Sequence, residues 1–116
     1  MSILSELSGL IEALGFSVET GVFSDNDADP DEYVVLIPLH DSYELYCGDR
    51  PSSEIQGARV SLFAKGNYLD ARQRLCAALL DGDFTVTERR HIGREPDTGY
   101  YHYSADVEKN YNLEEE

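Results

Sequence analysis

Tryptophan is absent from this 116-residue chain, cysteine occurs twice, and Lys and Arg together number only nine. Each scarcity excludes something. Cys47 and Cys76 are too few for a disulfide framework or a zinc knuckle, and both are expected at inward positions as small apolar residues. The longest apolar run, Val34 to Leu39, falls far short of the roughly 20 residues that cross a bilayer. The opening residues, Met1-Ser2-Ile3-Leu4-Ser5-Glu6, have neither the basic start nor the apolar stretch of a signal peptide, so a soluble protein of a reducing cytoplasm is expected. The shortage of cations weighs most. Against 23 Asp and Glu it leaves a net charge of −14, a field that repels phosphate backbones and anionic membranes.

The elements of catalysis are missing as well. There is no nucleophile elbow, and His40-Asp41-Ser42 is not a triad, because neighbours on a strand point in different directions. The glycines lack the spacing of a phosphate cradle. Asp25, Asp27, Asp29 and Asp31 alternate as in a calcium loop, but counting from Asp25 puts Pro30 where that loop needs glycine and Leu36 where it needs glutamate. A solvated acidic loop is the plainer reading. His91 and His102 are expected to face each other across a hairpin, which by itself is a weak metal pair. No catalytic residue, metal or cofactor is expected, nor an enzyme.

What is present is enough hydrophobic sequence, 41%, for one packed domain over residues 1–116, with 112–116 as a frayed tail. Ser2 reads as the N-cap of a first helix, with Ile3, Leu4, Leu7, Leu10, Ile11 and Leu14 at helical spacing and Gly15 as its stop. A strand follows over Phe16 to Thr20. Tyr33 to Leu39 reads as a buried central strand ended by Pro38, and Tyr43 to Cys47 as a separate third strand. After a loop with Asp49-Arg50-Pro51 at its tip, Ile55 to Lys65 is the fourth, with Gly57 as a bulge. Asn67 caps a second helix that turns Leu69, Leu75, Cys76, Leu79 and Leu80 inward and stops at Gly82. Phe84 to Ile92 and Tyr101 to Val107 close the chain as a hairpin around Pro96-Asp97-Thr98-Gly99. The order α-β-β-β-β-α-β-β predicts an α+β fold, an antiparallel-dominated sheet with both helices on one face.

Two features suit contact with another protein. The run Arg89-Arg90-His91-Ile92-Gly93-Arg94 is a basic ridge in an acidic chain, fit to dock on an acidic patch of another copy or to pair with Glu88 and Glu95 nearby. Tyr100, Tyr101, His102 and Tyr103 put large rings on both faces of one strand, and Tyr and Arg are the residues enriched at interfaces. Arg89, Arg90, Arg94, Tyr100, Tyr101 and His102 are therefore the candidate subunit interface.

Four blocks carry a further signal: Tyr33-Val34-Val35-Leu36-Ile37-Pro38-Leu39, Gly48-Asp49-Arg50-Pro51, Ala58 through Tyr68, and Thr98 through Val107. On these blocks the chain from about Asp31 to Glu116 resembles a family of small proteins from siphophages and prophages of low-GC bacteria, often called minor capsid proteins and similar to phage tail terminators. The resemblance implies a structural virion protein in the tail or neck, assembled in the bacterial cytoplasm. It implies a ring, a homo-hexamer, that caps the tail tube protein and faces the head-tail connector. DNA passes such a ring without specific binding. An acidic lining would repel it, which makes Asp25, Asp27, Asp29 and Asp31 the candidate channel-facing residues. Two other readings stay open: a different neck or head-completion role, and an acidic DNA-mimic inhibitor, against which the scattered placing of the charges speaks.

Overall fold

A computed structural model describes residues 2–20, 32–48, 50–66, 68–94, 96 and 99–112. Its elements are α1 (Ile3–Ala13), β1 (Ser17–Thr20), β2 (Glu32–Cys47), β3 (Arg50–Ala64), α2 (Tyr68–Asp81), β4 (Thr85–Arg94) and β5 (Tyr101–Asn112). The five strands form one mixed sheet in the order β1-β2-β3-β5-β4. Only β1 and β2 run parallel; the other three pairs are antiparallel. The fold is α+β, and both helices pack on the same face of the sheet.

Helix α1 begins where the sequence places it. The Ser2 side chain accepts from the Ser5 N–H at 3.2 Å, and Gly15 takes φ +97° beyond the last turn, the conformation a helix terminator needs. Ile3, Leu7 and Ile11 are buried. They meet Val34, Leu36, Ala58, Val60, Leu62, Ala105 and Val107 from the sheet, and Ala71, Leu75 and Leu79 from α2. The far face holds a second, smaller core. There Tyr33 stacks on Phe63 at 4.7 Å and meets Tyr100 edge-on at 5.1 Å, with Val35 beside them.

The segments read as a second and a third strand are one strand. β2 runs through Pro38, with a register shift between Pro38 and His40. β1 pairs only as far as Leu36, so among the described residues β2 beyond that point is an edge of the sheet, where a missing N–H is tolerated. The bulge thus lies on β2, not at Gly57. Gly57 is instead the place where the His40 ring crosses the backbone; a Cβ there would stand 2.6 Å from its Cε1. His40 Nε2 reaches Glu108 at 3.2 Å. Only Gly48 and the residue after it separate β2 from β3, and Gly48 has φ +72°, as a tight hairpin turn requires. Sixteen residues at about 3.4 Å each set the long axis of a molecule 53 × 25 × 23 Å in extent.

The end of α2 also departs from expectation; its cap, Asn67, lies outside the described residues. The left-handed residue is Asp83 (φ +66°), not Gly82, and the Phe84 N–H closes the turn on Leu79 O. Gly82 is needed for space, since a Cβ there would lie 2.8 Å from Leu10 Cδ1 and 3.0 Å from the Phe84 ring. The Gly82 carbonyl accepts from Lys109 Nζ at 3.1 Å, and the same ammonium holds Glu6 of α1 at 2.8 Å. One cation of β5 so closes the negative end of α2 and ties down α1. Substituting Gly82→Ala is expected to cost about 1–3 kcal/mol through overpacking. Asp83→Gly is expected to add about 1 kcal/mol by relieving the left-handed backbone. Urea midpoints at unchanged m-value read both.

Candidate assembly surface

Helix α2 presents two different flanks. Arg74 lies over the Phe16 ring at 5.0 Å and pairs with Glu32 at 3.3 Å and Asp70 at 3.1 Å, which holds one flank to the start of β2. Tyr68, Arg72, Cys76 and Leu80 recur every fourth residue, so they form one stripe along the helix. That stripe faces β4. The Arg72 guanidinium lies 5.8 Å from the centre of the Tyr103 ring, and Cys76 Sγ is 3.8 Å from the Tyr103 hydroxyl. Tyr68 stacks on Tyr101 at 4.7 Å, and its hydroxyl is 3.4 Å from His91 Nδ1.

Every residue of β4 except Val86 is exposed, because β4 is the sheet's outer strand and α2 covers it only in part. Cys76, Leu80, Val86 and Arg89 line an open cleft of about 250 Å³ between the helix and this strand. Arg89 is held firmly in its charged form by the Cys76 thiol and then by the Tyr103 phenol. Leu80 and Leu69, expected in the core, are 63% and 51% exposed; the buried set of α2 is Ala71, Leu75, Cys76 and Leu79.

Strand alternation splits the basic run. Arg89 stands opposite Ala105 and Arg94 opposite Tyr101, on the helix side, whereas Arg90 stands opposite Ser104 on the far side and is bound to Glu88 at 2.6 Å. The two histidines do not meet, since a bulge sets His91 opposite Tyr103 and His102 opposite Gly93. Of the aromatic candidates, Tyr101 and His102 are half-buried, and His102 stacks on Phe63 at 4.1 Å. Tyr100 is 4% exposed in the second core, with Lys65 Nζ 4.8 Å from its ring centre, so it is engaged within the chain. Asp25, Asp27, Asp29 and Asp31 lie outside the described residues, as does the Cys47 side chain. Among the described residues, no cluster of three or more His, Cys, Asp or Glu side chains is arranged to hold a metal ion, and no helix is long and apolar enough to cross a membrane.

Sequence reasoning missed the other end of the sheet. Beyond Leu36 the outer side of β2 exposes Ile37, Leu39 and Tyr43, with Asp41 exposed among them. An exposed apolar edge strand is a pairing hazard unless something covers it. The available signal was the brevity of the apolar segment at Phe16 to Thr20, too short to flank sixteen residues.

Burial and then the Cys76 thiol push the Tyr103 phenol up from its ordinary pKa, and burial beside Glu6 pushes that of Tyr111 up as well. Both phenols keep their protons in the fold at a pH where the unfolded chain gives them up, so stability falls as pH rises above about 10. A phenolate absorbance titration is expected to show Tyr103 and Tyr111 ionising at a higher pH than a free tyrosine does. Tyr111→Phe should flatten the alkaline fall in Tm.

No protein-family model matches this chain, and no curated protein matches it.

Proposed function

We infer that the protein is a structural component of a phage tail, a terminator that forms a ring on the tail tube and meets the head-tail connector. The resemblance of residues 31–116 supports the terminator role. The ring is supported by one observation above all: among the described residues, the sheet ends in two unlike uncovered edges. On β4 it offers Arg89, His91 and Arg94 beside an open cleft; on β2 it offers Asp41 and Tyr43 on the helix side, with Leu39 at the register shift and Ile37 on the far side. Two different patches at opposite ends of one subunit are what a heterologous, ring-closing contact needs.

The charge fits a conduit for DNA. A ring of subunits carrying −14 each repels phosphates and lets them pass without sticking. The same charge opposes assembly, so salt is expected to strengthen the ring by screening repulsion over distances beyond about 10 Å. Close contact pairs are screened less.

Sedimentation over a wide concentration range at low and high salt tests this. A discrete closed oligomer, favoured by salt, is the expected result, and a monomer throughout removes the reading. Substituting Arg89→Glu together with Arg90→Glu should leave a folded monomer by circular dichroism and no ring. An unaffected ring would remove β4 from the contact.

A further inference from the structure

Six large apolar side chains are exposed among the described residues, and they fall into two groups of three: Ile37, Leu39 and Tyr43 on β2, and Leu69, Leu80 and Ile92 on α2 and β4. Single exposed apolar residues need no explanation. Their sorting to the two opposite edges of one sheet does.

We propose that the β2–β3 hairpin of one copy lies against the α2–β4 edge of the next, with the Tyr43 ring in the cleft between α2 and β4 and the Asp41 carboxylate on Arg89. The proposal rests on the ring reading above and names the contact that builds the ring. Its occupant is a second copy of this chain, because each edge supplies the chemistry the other lacks.

The cleft, about 250 Å³ and lined by Cys76, Leu80, Val86 and Arg89, is smaller than the roughly 300–1,000 Å³ that encloses a small-molecule ligand. It suits one large side chain with an acid beside it. Its walls are apolar and its rim carries a guanidinium, so it selects an apolar or aromatic group next to a carboxylate. Tyr43 and Asp41 are such a pair. They lie two residues apart on a regular stretch of β2, and so on one face of the strand, opposite Glu54 and Gln56 of β3. Both are exposed, Tyr43 by 57%.

The placement suits contact as well. Gln56 Oε1 accepts from the Ile3 N–H at 2.8 Å, so the first turn of α1 sits at Gln56 and the hairpin beyond that point runs past the helix. The phenol brings a polar hydroxyl with its ring, as interface anchors do.

The test uses the full chain with Cys47→Ser, Glu54→Cys and Gln73→Cys, all three introduced together, which leaves Tyr43 and the cleft walls intact; Glu54 stands opposite Tyr43, and Gln73 is exposed on α2 one turn from Cys76. Labelled and unlabelled protein are mixed and treated with a short thiol–thiol cross-linker, and the linked peptides are identified by mass spectrometry. The expected product joins position 54 of one copy to position 73 of another and builds a ladder of oligomers. A charge exchange supplies the second arm. Asp41→Arg and Arg89→Glu should each weaken self-association about tenfold or more, and the two together should restore it, as an intermolecular pair requires.

Assembly by sedimentation with no such link and no restoration overturns this contact and leaves the ring reading standing. A link confined to one chain overturns it likewise. Absence of assembly by the unsubstituted protein overturns both readings. Circular dichroism of each variant separates these outcomes from a failure to fold.

Discussion

Two helices of eleven and fourteen residues cover about 17 and 21 Å of length, yet they pack on a sheet whose longest strand has sixteen residues. This mismatch governs the rest of the molecule. Where helix lies over sheet, the strands turn Val34, Leu36, Val60, Leu62, Ala105 and Val107 into a dry core. Where it does not, each residue is left to water, to a neighbouring side chain or to another protein.

The far face of the sheet meets the same shortage in two ways. At one end aromatic rings close over one another, with Tyr33 on Phe63 and Tyr100 against both. In the middle Arg59 grips Asp106 with two hydrogen bonds, of 2.8 and 3.2 Å, and this pairing holds the guanidinium charged. Both devices cross from strand to strand, so they also fix register. Neither serves at the outer edges, where there is no next strand among the described residues to reach.

Local rules read the sequence well where their premises held. The cap at Ser2 and the spacing from Ile3 to Ile11 gave α1, because a helix carries its own periodicity. The proline rule fails at Pro38 because it assumes partners on both sides, although the brevity of the segment from Phe16 to Thr20 already marks β1 as too short to flank all of β2. Periodicity alone could not say that Leu69 and Leu80 stand beyond the reach of the sheet. Alternation divides a basic run that is contiguous in sequence, and a second core on the far face, which strand periodicity does not reveal, draws Tyr100 inside. The edge at β2 went unread for the same reason as Pro38: an edge is a property of what lies next to a strand.

The strand order carries a consequence for synthesis. β5 follows β4 in the chain, yet it lies inside the sheet, between β3 and β4. A ribosome-bound chain that has released β4 but not β5 has nothing to set that strand against. Its α2–β4 cleft does not yet exist, because β4 is held to the sheet through β5. The hairpin of β2 and β3 can form early, since its partners are adjacent in sequence. Nascent and truncated chains would then carry one half of the proposed edge-to-edge contact and never the other, so in such a ring they would end its growth but not propagate it.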